Sequence, residues 1–245
     1  MARRRFFVPE VHDNHAELTG DDARHLTQVL RVEQGQRYEI SDNATIFLAE
    51  VETARKDRVV FRTFEKLPPE PHLVHIALYA ALIKFDHLEW IIEKATELGV
   101  ERIFLVEATR SERGLERGAD KRLIRWRRIA LEASQQARRA HLPIVEGPVA
   151  FGSVLRAPAQ HRLFLDELRN GKPLLRAIEA PALGDHIAVL LGPEGGWTDT
   201  ERATALEAGW TGVTLGPQVL RSETAATAAL AVLNSIYLTS TTASK

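Results

Sequence analysis

From residue 73 onward the sequence alternates short apolar runs with longer amphipathic stretches, and this alternation restricts the fold more than any other feature. "LVHIALYAAL", "RIFLVEA", "HRLFLDE", "HIAVLLG" and "GVTLG" are the runs. Near-continuous apolar stretches of that length are expected of strands buried on both faces. Between the first two, "DHLEWIIEKATELG" puts Leu88, Ile91, Ala95 and Leu98 on one helical face, with Gly99 as its stop. Further helices are predicted over residues 120–139, in "KPLLRAIEA" with Pro173 at its start, and over residues 199–208 and 222–238. Thr198 followed three residues later by Glu201 reads as a capping box. Strand and helix in alternation imply an α/β fold with a parallel sheet covered on both faces.

Upstream the pattern is different. "KLPPEPH", residues 66–72, holds three prolines and forbids a continuous helix or central strand. Before it, "RRFFVP", "QRYEISD", "TIFLAEVETA" and "RVVFRTF" read as short strands. One helical piece, "TGDDARHLTQVLRV", interrupts them, with Thr19 or Asp21 as N-cap. The expected organisation is a small, mostly β domain over residues 1–68 and an α/β domain over residues 72–245.

Several functional classes drop out on composition. The chain has no cysteine, so it has no disulfide framework, thiolate metal site or cysteine nucleophile. "MARRRFFVPE" lacks an apolar signal core and no run approaches a membrane span, so a cytoplasmic protein without membrane contact is expected. The nine histidines are scattered without an HExxH, and His72 and His75 flank a strand where an edge or core role is expected, so no metal is predicted. Net charge is −1, yet residues 110–139 carry ten basic and four acidic side chains. A local excess of this kind can steer a polyanion, or can be a solvated helix face laced with ion pairs.

The chemistry is expected at strand ends, where ligands of open α/β sheets bind. "LLGPEGGWTDTE" and "TLGPQVLRSETAA" each place Leu-Gly-Pro directly after an apolar run and lead into a helix. Gly192, Gly195 and Gly196 let the backbone approach a ligand, or simply permit a tight turn. Neither GxGxxG nor GxxxxGK[ST] occurs, and the first loop holds Glu194 and no lysine. A ligand with an adenine or a sulfonium cation suits it better than a phosphate chain.

These two loops resemble motifs of the SPOUT methyltransferases, and in particular of the ribosomal RNA small subunit methyltransferase E family. "RRFFVP" with "RHLTQVLRV", "IIEKATELGV", "RSERG" and "RWRRIALEASQQARRAHLPIV" resemble further segments of that family in the same order, over nearly the whole chain. The resemblance implies an N-terminal PUA-like domain that binds RNA. It also implies a C-terminal trefoil knot, a homodimer, and methylation of N3 of a uridine in 16S ribosomal RNA with S-adenosylmethionine as cofactor. Knot and dimer follow from the resemblance and not from the residues. Matched position by position, Leu191, Gly192, Pro193, Glu194, Gly195 and Gly196 would line the cofactor pocket together with Leu215, Gly216, Leu220, Arg221 and Ser222. One departure lies in the long helix, where the family reads Glu-Gln-(small)-Gly-Arg and this chain has Gln135 and Arg138 in place of the acid and the glycine.

Neutral uridine N3 carries a proton and no free lone pair. Arg221 could stabilise the imidate oxygens left when that proton leaves, and Glu223 could accept it; the bland alternatives are a phosphate clamp or mutual ion pair, and a helix-dipole acid. For RNA contact the candidates are Arg3, Arg5, Arg24, Arg31, Arg110, Arg113, Arg125, Arg128, Gln136 and Arg139. Phe6 and Phe7 are read as core of the first strand. Two other functions fit the same motifs: a SPOUT enzyme with a different target atom or RNA, and a non-catalytic RNA-binding assembly factor.

Overall fold

The computed structural model describes residues 4–69, 72–112, 114–167 and 171–243. By internal contacts the chain divides into two compact units, Met1–Pro71 with Leu131–Leu142, and His72–Ala130 with Pro143–Lys245. Among the described residues no helix is long and apolar enough to cross a membrane.

The first unit is built on β1 (Arg5–Phe7), β2 (His15–Thr19), α1 (Gly20–Arg24), β3 (Arg37–Ser41), β4 (Ile46–Arg55) and β5 (Arg58–Lys66). They form a mixed sheet in the order β1-β3-β4-β5-β2, parallel only between β1 and β3. Phe6, Leu18, Leu26, Ile40, Val51 and Phe61 are buried in its core, so Phe6 is core as its apolar setting implies. The helical piece is shorter than its sequence suggests: α1 passes into a π-helical turn, His25–Val29. Thr19 is its N-cap, without a side-chain cap bond. Residues 131–142 join this unit through named bonds. Ser41 Oγ donates to the Ala140 carbonyl at 2.7 Å, and the Leu142 amide donates to Asn43 Oδ1 at 2.7 Å.

The second unit contains β6 (Val74–Ala81), α2 (Phe85–Glu97), β7 (Arg102–Glu107), most of α3 (Leu115–Ala137), β8 (Ile144–Ala150) and α4 (Phe151–Val154). It continues with β9 (His161–Leu165), β10 (Lys172–Pro173), β11 (Asp185–Leu191), α5 (Asp199–Glu207), β12 (Thr211–Thr214) and α6 (Ser222–Ala243). The sheet order is β10-β12-β9-β11-β6-β7-β8, and every pair is parallel. Alternate residues of β11 feed two separate cores: Ile187, Val189 and Leu191 on one face, Ala188 and Leu190 on the other. That is why these strands read as continuous apolar runs. α2 buries Leu88, Ile91 and Ala95 against the first of these cores.

Two local expectations fail. "KPLLRAIEA" gives the short edge strand β10 and one 3-10 turn, Leu174–Arg176, rather than a helix starting at Pro173. Pro173 instead pairs with Thr214 in the sheet register, an edge position that a residue lacking an N–H tolerates. The long helix begins at Leu115, upstream of residue 120, and ends at Ala137.

Candidate active site

Strands β12, β9 and β11 are neighbours, so their carboxyl ends deliver three loops to one place. The sheet order also reverses here. From β6 the chain steps outward through β7 and β8, then returns to β9 and β11 on the other side, the arrangement that opens a crevice in a parallel sheet. A cleft of about 600 Å³ lies beyond these ends. It is lined by residues 165–167 after β9, 191–197 after β11, and 213–215 and 218–223 around the end of β12, with His87 and Ala225 at its sides.

Every residue matched to the cofactor loops lines this cleft except Gly216, which lies just outside it. The two Leu-Gly-Pro turns are joined: Ser222 Oγ, nearly buried, donates to the Gly192 carbonyl at 3.1 Å. The paired breaks therefore form two walls of one cavity.

The first wall is tightly braced. A Cβ on Gly192 would lie 2.8 Å from Trp197 Nε1, and that indole is fully buried and donates to the Leu165 carbonyl at 3.0 Å. Gly196 has φ 68° and would place a Cβ 2.6 Å from Glu167 Oε1. Both glycines are needed for close approach and, at Gly196, for the left-handed backbone. Arg110 donates from Nη1 to the carbonyls of Gly195 and Trp197, each at 3.1 Å. The capping box of α5 is present, with the Glu201 amide donating to Thr198 Oγ1 and the Thr198 amide to Glu201 Oε2. Glu201 Oε1 also accepts from the Thr109 amide at 2.8 Å. Burial pushes this carboxyl up, and the bonds from Thr109 and Thr198 outweigh that, so it sits below the ordinary glutamate range.

Among the described residues four carboxylates line the cleft: Asp166, Glu167, Glu194 and Glu223. Arg202 holds Asp166 at 3.0 Å and also contacts Glu167. His87 Nδ1 lies 2.7 Å from Glu194 Oε1. Arg221 and Glu223 stand at the head of α6 and both line the cavity. Among the described residues neither side chain has a hydrogen-bond or ion-pair partner, so the mutual ion pair weighed for them is not formed.

Sequence reasoning missed His87, Asp166 and Glu167. The two acids carry a signal, since they close "HRLFLDE" at a strand's carboxyl end. His87 carries none, because its place depends on how the first turn of α2 meets the loop after β11.

The RNA candidates are less coherent than the cleft. Arg3 and Arg113 lie outside the described residues. Arg5 is corrected: it is 3% exposed and gives both Nε and Nη2 to Glu39, its register partner on β3, so it is a buried ion pair rather than an RNA contact. Arg24 is exposed and pairs with Asp21, while Arg31 is exposed with φ 54°. Arg110 braces the cleft loop. Arg125 gives a bidentate pair to Glu89 at 2.6 and 2.7 Å, which pulls the Glu89 carboxyl down, and Arg128 is half-buried. Gln136 is exposed near the end of α3, and Arg139 donates from Nε to the His141 carbonyl at 3.1 Å. At the departing positions, Gln135 is buried and Arg138 has φ 56°. That backbone costs a non-glycine residue roughly 1–2 kcal/mol, which explains a glycine in the related motif. Here Arg138 Nη2 donates to Glu39 Oε1 at 2.7 Å, an offsetting pair.

Comparison with known proteins agrees with this geometry. The profile of an RNA methyltransferase domain matches residues 69–234, and that of an RNA methyltransferase PUA domain matches residues 18–64. Fold and site thus define an RNA methyltransferase with an appended PUA domain. A ribosomal RNA small subunit methyltransferase E from Synechocystis is 32% identical, over 96% of this chain and 78% of that one. One from Mycobacterium bovis is 31% identical, over 94% and 90%. The crystal structure of the Neisseria gonorrhoeae ribosomal RNA small subunit methyltransferase E, bound to S-adenosyl methionine, superposes with TM-score 0.85 at 30% identity, covering 96% of this chain and 98% of that one. The chain belongs to the ribosomal RNA small subunit methyltransferase E family.

Proposed function

We propose that this protein methylates N3 of a uridine in the 16S RNA of the small ribosomal subunit, using S-adenosylmethionine. In this reading residues 1–68 bind RNA, residues 72–245 bind the cofactor and catalyse transfer, the C-terminal chain is knotted as a trefoil, and the working form is a homodimer. The observation that carries it is the cleft itself, where a glycine turn with no room for a Cβ at Gly192 and left-handed backbone at Gly196 is lined also by two unengaged side chains of opposite charge, Arg221 and Glu223.

The residues present fit the cofactor. Backbone groups at Gly192 and Gly196 can approach an adenosine closely, and among the described residues four carboxylates against one lining arginine, Arg221, favour a cationic ligand over a phosphate chain. When bound, S-adenosylmethionine supplies an electrophilic methyl group. Glu223 accepts the N3 proton, leaving an imidate whose charge spreads onto O2 and O4. Arg221 donates to one of those oxygens and stabilises the charge as it develops. Glu194 holds the His87 ring at the cleft wall. No covalent intermediate is required, so holding the uracil in line accounts for most of the rate gain.

Calorimetry of the full chain with S-adenosylmethionine tests the cofactor assignment, and absence of binding would leave a non-catalytic RNA-binding factor. Mass spectrometry of digested small-subunit RNA from a deletion strain tests the target. The reading expects one N3-methyluridine to disappear and to return with the wild-type gene. Loss of a methyl at another atom would assign a different target.

A further inference from the structure

We infer that His72, His75 and Glu101 form a binding site for one divalent cation of the zinc class, separate from the cleft. His75 is the second residue of β6, and Glu101 is the residue just before β7, the strand paired with β6. His72 ends the proline-rich segment that leads into β6. His75 Nδ1 lies 2.6 Å and His72 Nδ1 3.1 Å from the same carboxylate oxygen, Glu101 Oε1. The three donor atoms all lie within 4.8 Å of one another.

The backbone already holds these groups in place. The Glu101 amide donates to the Ile76 carbonyl at 2.9 Å, fixing the lead-in of β7 beside β6. His75 is in register with His186 on β11, and the two rings stack at 4.5 Å with planes 13° apart. The His72 ring also stacks on His75, at 5.1 Å with planes 23° apart. Little ordering remains to be done when an ion arrives.

The donor set selects the ion. Two imidazole nitrogens and one carboxylate oxygen, with a fourth position open to water, suit zinc and its late first-row neighbours, whereas magnesium and calcium prefer all-oxygen sets. Bonds of about 2.0–2.2 Å in a tetrahedron separate ligands by roughly 3.3 Å. The Glu101 oxygen therefore has to move off His75 Nδ1 by about 0.7 Å and off His72 Nδ1 by about 0.2 Å. All three side chains are partly exposed, so an ion reaches them from solvent.

The position argues for a structural role. The cluster sits where β6, β7 and β11 begin, and the cleft lies where β11 ends, a strand of seven residues or about 20 Å away. Bound there, the cation ties the segment entering β6 to the start of β7 without touching the methyl-transfer groups.

The test uses untagged full-length protein stripped with a chelator. Titration with Co²⁺ is expected to give the visible absorption of a four-coordinate ion at one equivalent, displaced by Zn²⁺. At a Zn²⁺ concentration one hundred times Kd the melting temperature should rise by about 5 °C or more. His72→Ala and Glu101→Gln should each weaken binding at least tenfold and leave S-adenosylmethionine affinity and methyl transfer unchanged. Glu101→Gln is the cleaner of the two because it leaves both ring stacks in place, whereas His72→Ala removes one and His75→Ala would remove both. A weak octahedral spectrum, or undiminished affinity in both variants, would overturn the assignment. Because transfer activity is read separately, failure here leaves the methyltransferase reading standing.

Discussion

The loop after β11 and the loop after β12 begin with the same three residues, yet one is braced from several sides and the other stands nearly free. In the first, Arg110, Trp197 and the Thr198–Glu201 box all bond to or beneath the Gly-rich turn. In the second, Val219 is 77% exposed, Leu220 and Arg221 are exposed, and the firm anchor is the Ser222 bond to Gly192 at its far end. A receptor for a fixed ligand benefits from a wall that costs nothing to order, and a group that must meet a second substrate benefits from reach. On the proposed function the pair would divide those tasks, with the β11 loop holding the cofactor and the β12 loop presenting chemistry.

Breaking the rigid wall should have the largest consequence. Gly192→Ala drives a methyl into the buried Trp197 indole, which cannot withdraw because its Nε1 is bonded and its ring lies against Phe164. Calorimetry should show S-adenosylmethionine affinity down at least tenfold, and thermal unfolding a loss of about 1–3 kcal/mol. Unchanged affinity would mean that the wall does not touch the cofactor.

Glu201 comes next, as the carboxylate beneath the braced loop. Its folded pKa is depressed, so its contribution is fully present above the unfolded value of about 4.3 and fades as pH falls through the folded value. Glu201→Gln should cost about 1–3 kcal/mol at neutral pH. It should also flatten the decline of melting temperature in acid, since the variant has no proton to gain there. An equally steep decline would assign the acid sensitivity to other carboxylates, such as Asp185 with its Tyr237 partner.

Smaller effects probe the join and the free loop. Ser222→Ala removes the hydrogen bond that joins the two walls among the described residues and should cost about 0.5–1.5 kcal/mol, with a raised KM for the cofactor. Val219→Ala, on the exposed tip, should change stability by no more than about 0.5 kcal/mol. If Val219→Ala proves the more damaging of the two for stability, the loop contrast is wrong.

How much of this the sequence could carry varied with the range of the interactions. The parallel sheet is legible because strands buried on both faces carry continuous apolar runs, as residues 76–81 of β6, 163–165 of β9 and 187–191 of β11 do. The capping box is legible because all its partners lie within three residues. β2 is not, since "HAELT" is five residues long and follows Asp13 and Asn14, both with positive φ, so turn chemistry hides it. The burial of Arg5 is likewise hidden, because an arginine beside two phenylalanines reads as surface until Glu39 is brought alongside by β3. The same holds for His87 and Glu194, 107 residues apart in the chain.

The most direct test of the division between holding and presenting is steady-state kinetics of Arg221→Ala and Arg221→Lys with small-subunit RNA, alongside cofactor calorimetry. If Arg221 stabilises the imidate, alanine lowers kcat by about 10²–10³ with little change in KM for RNA or cofactor affinity. Lysine, which keeps the charge and loses the planar fork, should then rescue poorly. A fall in kcat of less than about tenfold, or a loss confined to cofactor binding, would contradict the account and return Arg221 to the wall of the pocket.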